Sequence, residues 1–346
     1  MNKVRHIDNL VIGAGPAGSV FGYLALKAGL NCLLVDFATF PRDKICGGGL
    51  TPKAWRLLDK LMPGIKYDYH PVRHMRFQLD DSPSCEFESE FEIRMTSRKD
   101  FDYTLLQYYQ QAGGELLKDA FVSFEQQPDG RFLVTMRSGL QLTCNYLIAA
   151  DGANSRVRRQ LLGKSKDQML FMEEYVPKQG PEEAFVFFSR RFIPGGFYKF
   201  SSIGRDIYGY RAPETNRETF RQMLKEFNIP ETKLVGANIS LHTVQSPIPN
   251  IILIGDAGGF ANKITGEGLY DAFKTAYNAR RAIVEHKPFC ETNRQVFRKM
   301  KAEERAARFF FSPTGIKFLS FCIHHPRFTK WIFDAKMKRE TFLRLR

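Results

Sequence analysis

Residues 7–36, IDNLVIGAGPAGSVFGYLALKAGLNCLLVD, leave few folds open to this chain. Residues 7–12 read as a short buried strand. SVFGYLALKAG carries apolar residues at helical spacing, and NCLLVD is a second buried strand. Strand, helix and strand within about 30 residues make a βαβ unit, the context that a nucleotide fingerprint requires. The turn between the first strand and the helix is Gly13-x-Gly15-x-x-Gly18. Gly13 allows the tight turn, Gly15 lets backbone approach a pyrophosphate, and Gly18 lets helix pack on strand. Pro16 and Ala17 open the helix, whose N-terminus offers N–H groups and partial positive charge to phosphates. Asp36 ends the second strand, where it is placed to accept hydrogen bonds from an adenosine ribose, and Phe37 follows it. This fingerprint does not separate NAD from FAD.

The rest of the chain predicts an α/β protein with a Rossmann-type mixed parallel sheet, an inserted antiparallel sheet and a helical C-terminal tail. PKAWRLLDKL (52–61) is a helix with Pro in its first turn. Alternation over 71–95 predicts antiparallel strands. SRKDFDYTLLQYYQQAGG reads as a capped amphipathic helix. The turns PDG and SG divide residues 120–152 into hairpins that feed a buried strand. Residues 166–245 lack βαβ rhythm and predict a second antiparallel sheet with one helix, NRETFRQMLKEFN. The expected division is 1–70, 96–165 and 246–290 for the nucleotide domain, 71–95 and 166–245 for a substrate domain, and 291–346 for the tail.

Two further motifs sit at strand ends. In LIAADGANSRVRR a buried strand stops at Asp151-Gly152, followed by Ser155 and three arginines. By itself this reads equally well as an Asp-Gly turn capping a basic helix. In IILIGDAGGFANKITGEGLYDAF a strand stops at Gly255-Asp256, and Gly266-Glu267-Gly268 opens a helix. A carboxylate at such a strand end suits polyol hydroxyls, and the helix N-terminus behind it suits an anionic reduced flavin ring.

GAGPAG, then LIAADGANSRVRR, then IILIGDAGG, in this order, resemble the p-hydroxybenzoate hydroxylase-like group of FAD enzymes. SRKDFDYTLLQ adds a fourth match. The resemblance implies FAD as cofactor, with Arg98 beside it, Asp36 on its ribose and Asp256 near its pyrophosphate or ribityl chain. Within that group, PRDKICGGGLTPKA and TGEGL resemble the geranylgeranyl reductase and CbrA-like family. That resemblance implies a cofactor set that also includes Arg42, Cys46, Gly47, Gly48 and Gly49. The three consecutive glycines would let the loop lie against the isoalloxazine ring, with Cys46 and Gly48 at the reaction centre. The family's YxWxFPK-like strand has its best counterpart in FYKFSSIGRDIYGY, where Tyr198 and Phe200 take the Tyr and Trp positions and the FPK end is missing.

The leading expectation is an FAD-dependent oxidoreductase that reduces carbon–carbon double bonds of an isoprenoid or other apolar lipid-like substrate. A monooxygenase or halogenase on the same scaffold is the second reading, and a flavin-binding redox protein without turnover is the third. No second GxGxxG is present, so NAD(P)H must dock transiently or a separate reductant must serve.

The formal charge is +14, and +10 of it lies in residues 294–346. There basic residues interleave with Phe and Trp331, a pattern that suits either a membrane surface or a tail packing its aromatics on the body. No nucleic-acid motif accompanies the charge. The six cysteines are scattered, with no CxxC pair, so neither a disulfide framework nor a metal site is expected. Ile7 already begins a core strand, which argues against a signal peptide. A cytoplasmic protein, peripheral at the inner membrane face, is expected.

Overall fold

The computed structural model describes residues 4–164, 168–212 and 215–341. The expected domain boundary at 165/166 and the last five residues of the tail lie outside them.

Along the chain, β1 (Arg5–Ile12), α1 (Pro16–Lys27) and β2 (Cys32–Asp36) form the opening unit. β3 (Gly49–Leu50), α2 (Pro52–Leu61), β4 (His70–Leu79) and β5 (Cys85–Met95) follow. α3 (Arg98–Gln111) leads into β6 (Glu115–Lys118), β7 (Phe121–Gln126), β8 (Phe132–Met136), β9 (Gln141–Ala149) and α4 (Arg156–Leu162). Then come β10 (Gln168–Pro177), β11 (Ala184–Phe188), β12 (Gly196–Ser201), β13 (Arg205–Arg211), α5 (Arg217–Glu226), β14 (Val235–Ser240) and β15 (Ile251–Leu253). Helices close the chain: α6 (Leu269–Val284), α7 (Phe289–Thr292), α8 (Arg294–Phe310), α9 (Pro313–His324) and α10 (Pro326–Thr341).

The first sheet runs β6-β2-β1-β9-β8-β7, and β15 also pairs with β9. The pairs β1–β2, β1–β9, β2–β6 and β9–β15 are parallel, whereas β7–β8–β9 is antiparallel. Parallel strands covered on both faces read as unbroken apolar runs, and all five residues of β2 are buried. One face packs Phe21, Leu24, Leu105, Tyr109 and Phe273 from α1, α3 and α6. The other packs Leu10, Leu33, Phe132, Leu147 and Val157. Burying one such side chain contributes about 1.5–3 kcal/mol. Every strand end that carries a motif therefore stands on a fixed platform.

The second sheet runs β14-β10-β13-β12-β11-β4-β5-β3. It departs from the antiparallel expectation at one place, where β4 and β11 pair in parallel. The chain leaves the sheet after β5 and returns only after most of the first sheet is built. A hairpin constraint on direction no longer applies to such a long crossover. β3 is also unexpected: the end of the glycine run pairs Gly49 with Met95 and Leu50 with Arg94. A two-residue strand has no periodicity to read. Ser97 occupies the N-cap of α3 but makes no capping hydrogen bond, although the sequence predicts a cap.

The tail packs part of its apolar surface on the body and leaves part of it exposed. Ile316, Leu319 and Ile323 of α9 and Phe333 of α10 pack on Val72, Met75 and Phe87 of β4 and β5. On the other side Phe318, Phe321, Phe328 and Trp331 remain exposed. Phe321, Phe328 and Trp331 touch in sequence, with ring centroids 5.6 and 6.0 Å apart. No described helix is long and apolar enough to cross a membrane.

Candidate active site

The glycine fingerprint is folded as tightly as its residue types require. Gly13 has φ +105°, and a side chain there would begin 2.3 Å from the Ala150 carbonyl oxygen. A side chain at Gly18 would begin 1.9 Å from the Gly13 carbonyl oxygen. Asp36 is buried at the end of β2 and accepts from the Ala14 N–H (2.7 Å) and the Ala38 N–H (2.8 Å). Its carboxylate therefore holds the glycine turn. Phe37 beside it is exposed. Arg42 lies 3.4 Å from Asp102 and brings its guanidinium within 3.3 Å of where a side chain on Gly15 would begin. Positive charge thus stands over the N-terminus of α1, which Pro16 and Ala17 open.

At the end of β9, Asp151 Oδ2 accepts from the N–H groups of Arg156 (2.7 Å) and Val157 (3.4 Å), and Ser155 Oγ accepts from the Arg158 N–H (3.0 Å). The capping role considered for this motif is real. It uses only one oxygen of Asp151, however. Oδ1 is buried without a hydrogen-bond partner, and burial pushes the carboxyl above its usual range. Gly152 adopts φ +78° with open space on its side-chain side. Arg158 has a part that no local pattern announces. It is buried and donates to Ser240 Oγ (2.8 Å), the Ala257 carbonyl (3.3 Å) and the Ala153 carbonyl, tying β14 and both strand-end loops together.

After β15, the Gly255 N–H donates to Thr275 Oγ1 of α6 (3.0 Å), and Asp256 lies 3.7 Å from Lys44. Gly268, the N-cap of α6, comes so close that a side chain there would begin 3.1 Å from Asp256 Oδ1. Beside it Gly266 packs on Phe171. Glu267 is held by Thr51 Oγ1 and by Lys53 Nζ at 2.9 Å, and the same ammonium lies 2.9 Å from Glu340 of α10. Burial would raise the Glu267 carboxyl, but Lys53 and Thr51 hold it below its ordinary value.

The loop of Cys46, Gly47, Gly48 and Gly49 is clamped from two sides. Gly48 has φ +73°, and a side chain there would begin 2.2 Å from the Thr96 carbonyl oxygen. Its own carbonyl accepts from the Thr96 N–H (2.9 Å) and from Thr96 Oγ1 (3.0 Å). A side chain at Gly47 would begin 2.7 Å from the Phe200 ring, and one at Gly49 3.3 Å from Met95 Sδ. Below the loop Arg98 makes a buried bidentate pair with Asp102 (2.7 and 2.9 Å) and also meets the Cys46 thiol. Burial would lower the Arg98 guanidinium, but Asp102 and Cys46 keep it charged.

On the far side Tyr198 and Phe200 stack at 4.7 Å. The Tyr198 ring crosses Gly209, its partner on β13, and donates its hydroxyl to Glu173 Oε1 on β10 at 2.6 Å. Tyr175 donates to the other oxygen at 2.7 Å. Contacts thus link the fingerprint, the strand-end aspartates, the cysteine loop and the Tyr198–Phe200 pair into one neighbourhood. Arg158, one of the three arginines of its motif, joins them, as do Glu173, Tyr175 and Lys53, which the sequence did not single out. The acidic pair in FMEEYV, inside an otherwise apolar strand, is the one local signal that could have flagged Glu173.

These groups fit an FAD. A glycine cradle under Arg42 suits a pyrophosphate, and the unpaired Asp151 oxygen suits a hydroxyl donor. The comparisons agree. Residues 6–176 match the family described as FAD binding domain. A geranylgeranyl diphosphate reductase of Rhodobacter capsulatus is 28% identical over 77% of this chain and 72% of its own. A menaquinone reductase of Mycobacterium tuberculosis is 35% identical over 44% of this chain and 40% of its own. Among solved structures, a geranylgeranyl bacteriochlorophyll reductase-like protein from Thermoplasma acidophilum superposes with TM-score 0.71 at 21% identity, covering 99% of this chain and 89% of that one. The halogenase PltM superposes with TM-score 0.71 at 18% identity over 95% of this chain and 86% of its own, so the scaffold is shared by different chemistries.

The class is therefore plain: the chain is an FAD-dependent oxidoreductase. It is similar to enzymes named geranylgeranyl diphosphate reductase and digeranylgeranylglycerophospholipid reductase, at 28% and 25% identity.

Proposed function

We propose that this enzyme reduces carbon–carbon double bonds of an isoprenoid or similarly apolar lipid-like substrate. The observation that supports the reading is an apolar cluster that joins the cysteine loop to the tail. Phe200 covers Gly47 and belongs to the same hydrophobic cluster as Ile316, Leu319 and Ile323 of α9 and Phe333 of α10. The outer side of those helices is the exposed patch of Phe318, Phe321, Phe328 and Trp331, among Lys317, Arg327 and Lys330. An aromatic patch ringed by cations suits an anionic lipid surface. Side chains between that surface and the cysteine loop are apolar, so a long apolar chain displacing them would lose no hydrogen bond.

When bound and reduced, FAD supplies the hydride for this reaction. The chain's own residues bind, orient and exclude water. Gly13, Gly15, Pro16, Ala17, Gly18 and Arg42 would hold the pyrophosphate, while Asp36 fixes the glycine turn. Asp151, Gly152 and Ser155, with Gly255, Asp256, Gly266, Glu267 and Gly268, would hold the ribityl and ring end. Arg98 fixes the Cys46 loop from below, and Tyr198 and Phe200 wall the substrate side. Arg42→Ala removes a charge-assisted contact worth about 1.5–3 kcal/mol. FAD affinity measured by fluorescence on dilution should fall roughly ten- to a hundredfold.

The function is tested by reducing the purified flavoprotein anaerobically and adding a polyprenyl lipid. The expected result is lipid-dependent reoxidation with a saturated carbon pair in the product. Reoxidation indifferent to lipid sinks the reading, and NAD(P)H-driven oxygen uptake stimulated by an aromatic substrate would favour the hydroxylase instead. The same assay tests the tail. With Phe321 and Trp331 both changed to Ser, substrate in anionic vesicles should require a higher concentration for half-maximal rate, while detergent-dispersed substrate should not.

A further inference from the structure

Glu173, one of two buried acids of β10, plays no part in the binding just described. Glu173 on β10, Gly209 on β13 and Tyr198 on β12 lie in one row across the second sheet. Because Gly209 has no side chain, the Tyr198 ring lies flat over it; a side chain there would begin 1.9 Å from the ring. The phenol hydroxyl so reaches past a whole strand to Glu173 at 2.6 Å. Tyr175, two residues further along the same face of β10, bonds the second oxygen at 2.7 Å. The Arg205 guanidinium covers the Tyr175 ring at 4.4 Å, towards the outer end of the strand pair. Glu173 is 2% exposed, whereas Tyr175 and Tyr198 at its two sides are only half-buried. Tyr198 in turn adjoins Gly47 and stacks on Phe200. The arrangement is a continuous row of exchangeable protons along the cysteine loop, with the Cys46 N–H facing both Glu173 and Tyr175 and with Tyr175 half-buried at its far end.

We propose that Tyr198, Glu173 and Tyr175 form a proton relay for the reduction, with Tyr198 the donor to substrate and Tyr175 the entry from solvent. The proposal rests on the double-bond reductase reading. As hydride from the reduced cofactor adds to one alkene carbon, the π pair moves to the other carbon and takes the Tyr198 O–H proton. In its protonated form Glu173 donates to the Tyr198 oxygen, which frees the Tyr198 proton to face the substrate; the phenolate then takes the Glu173 proton, Glu173 takes one from Tyr175, and Tyr175 takes one from water, which leaves as hydroxide. One hydride and one proton saturate the bond, and the protein returns to its starting state. Burial favours the proton-carrying form of Glu173, against Arg205, the two hydroxyls and the Cys46 N–H, which favour the anion. Arg211, buried on β13, is the other cation close to Tyr198. A structural role alone, holding three strands together, would leave the proton inventory unused.

The test uses the FAD-loaded protein in single turnover with a polyprenyl lipid, in water and in D2O. Tyr198→Phe is expected to slow lipid-dependent reoxidation roughly a hundredfold or more, the scale of general acid catalysis. Flavin reduction by dithionite should be unchanged. Glu173→Gln keeps the shape of the side chain and is expected to flatten the pH profile of reoxidation. It should also remove a protonated-carboxyl band from the infrared spectrum of the protein without substrate. Tyr175→Phe should slow turnover under repeated cycling more than the first turnover. If wild type is reoxidised by lipid and Tyr198→Phe keeps both its rate and its solvent isotope effect, the relay is wrong while the reductase reading survives. A Glu173→Gln protein whose carboxyl band persists also overturns the relay. If no lipid reoxidises wild type, the reductase reading falls and the relay with it.

Discussion

Lys53→Met should destabilise the protein by about 3–5 kcal/mol, as expected when one partner of a buried ion pair is removed. Lys53 sits on α2 with its side chain only 7% exposed and its ammonium 2.9 Å from both Glu267 and Glu340. Without it, two carboxylates face each other in a site that water barely enters, and Glu267 keeps only Thr51 and the more distant Lys299. The pH dependence separates this cause from simple packing loss. In wild type the Glu267 carboxyl is held below its ordinary 4.5, so its contribution is present above that pH and is lost as pH falls through the folded value. In the variant the burial penalty is opposed only by Thr51 and the more distant Lys299, and the folded value should rise above its ordinary one. The sign then reverses: the deficit grows as pH rises towards neutrality and shrinks towards pH 4. Urea unfolding of wild type and variant at two pH values measures it. A loss under about 1 kcal/mol at neutral pH would show that the triad behaves as a solvated surface pair. The position also matters for function, because Lys53 joins the loop opening α6 to the last helix of the tail.

What the sequence shows of this protein is what is local. The βαβ unit, the glycine fingerprint, Asp151-Gly152 and Gly255-Asp256 are each contained in a short window, and periodicity or turn chemistry announces them. The parallel pairing of β4 with β11 and the strand at Gly49–Leu50 are not local, and they were missed. The roles of Arg158, Glu173 and Lys53 escape for a related reason. A buried charge is recognised by its partner, and their partners Ser240, Tyr198 and Glu340 lie far along the chain. The glycine run shows the boundary between the two cases. Three consecutive glycines say that something comes close. The structure shows that protein atoms already do: the Phe200 ring at Gly47, the Thr96 carbonyl at Gly48 and the Met95 sulfur at Gly49.

That crowding leads to the other large effect, in which two glycine substitutions should fail in different ways. Gly13→Val forces a β-branched residue to φ +105°, with its first carbon 2.3 Å from the Ala150 carbonyl oxygen. Neither backbone can easily yield, because β1 and β9 are paired in parallel right up to Ile12 and Ala149, the residues before Gly13 and Ala150. The cradle should open, and the protein, if it accumulates, should be purified colourless and stay so with added FAD. Gly48→Ala places a side chain at φ +73° and 2.2 Å from the Thr96 carbonyl oxygen. The left-handed conformation alone costs about 1–2 kcal/mol. Relieving the clash must lift the loop from Thr96, break the two hydrogen bonds to the Gly48 carbonyl, and move Cys46 off Arg98 and Gly47 off Phe200. None of these contacts belongs to the fingerprint. The Gly48→Ala protein should therefore keep most of its flavin absorbance while lipid-dependent reoxidation falls at least roughly a hundredfold, the usual penalty for misplacing groups by about an ångström. A yellow Gly13→Val protein, or a Gly48→Ala protein with undiminished turnover, would mean that the site tolerates displacements that this geometry forbids.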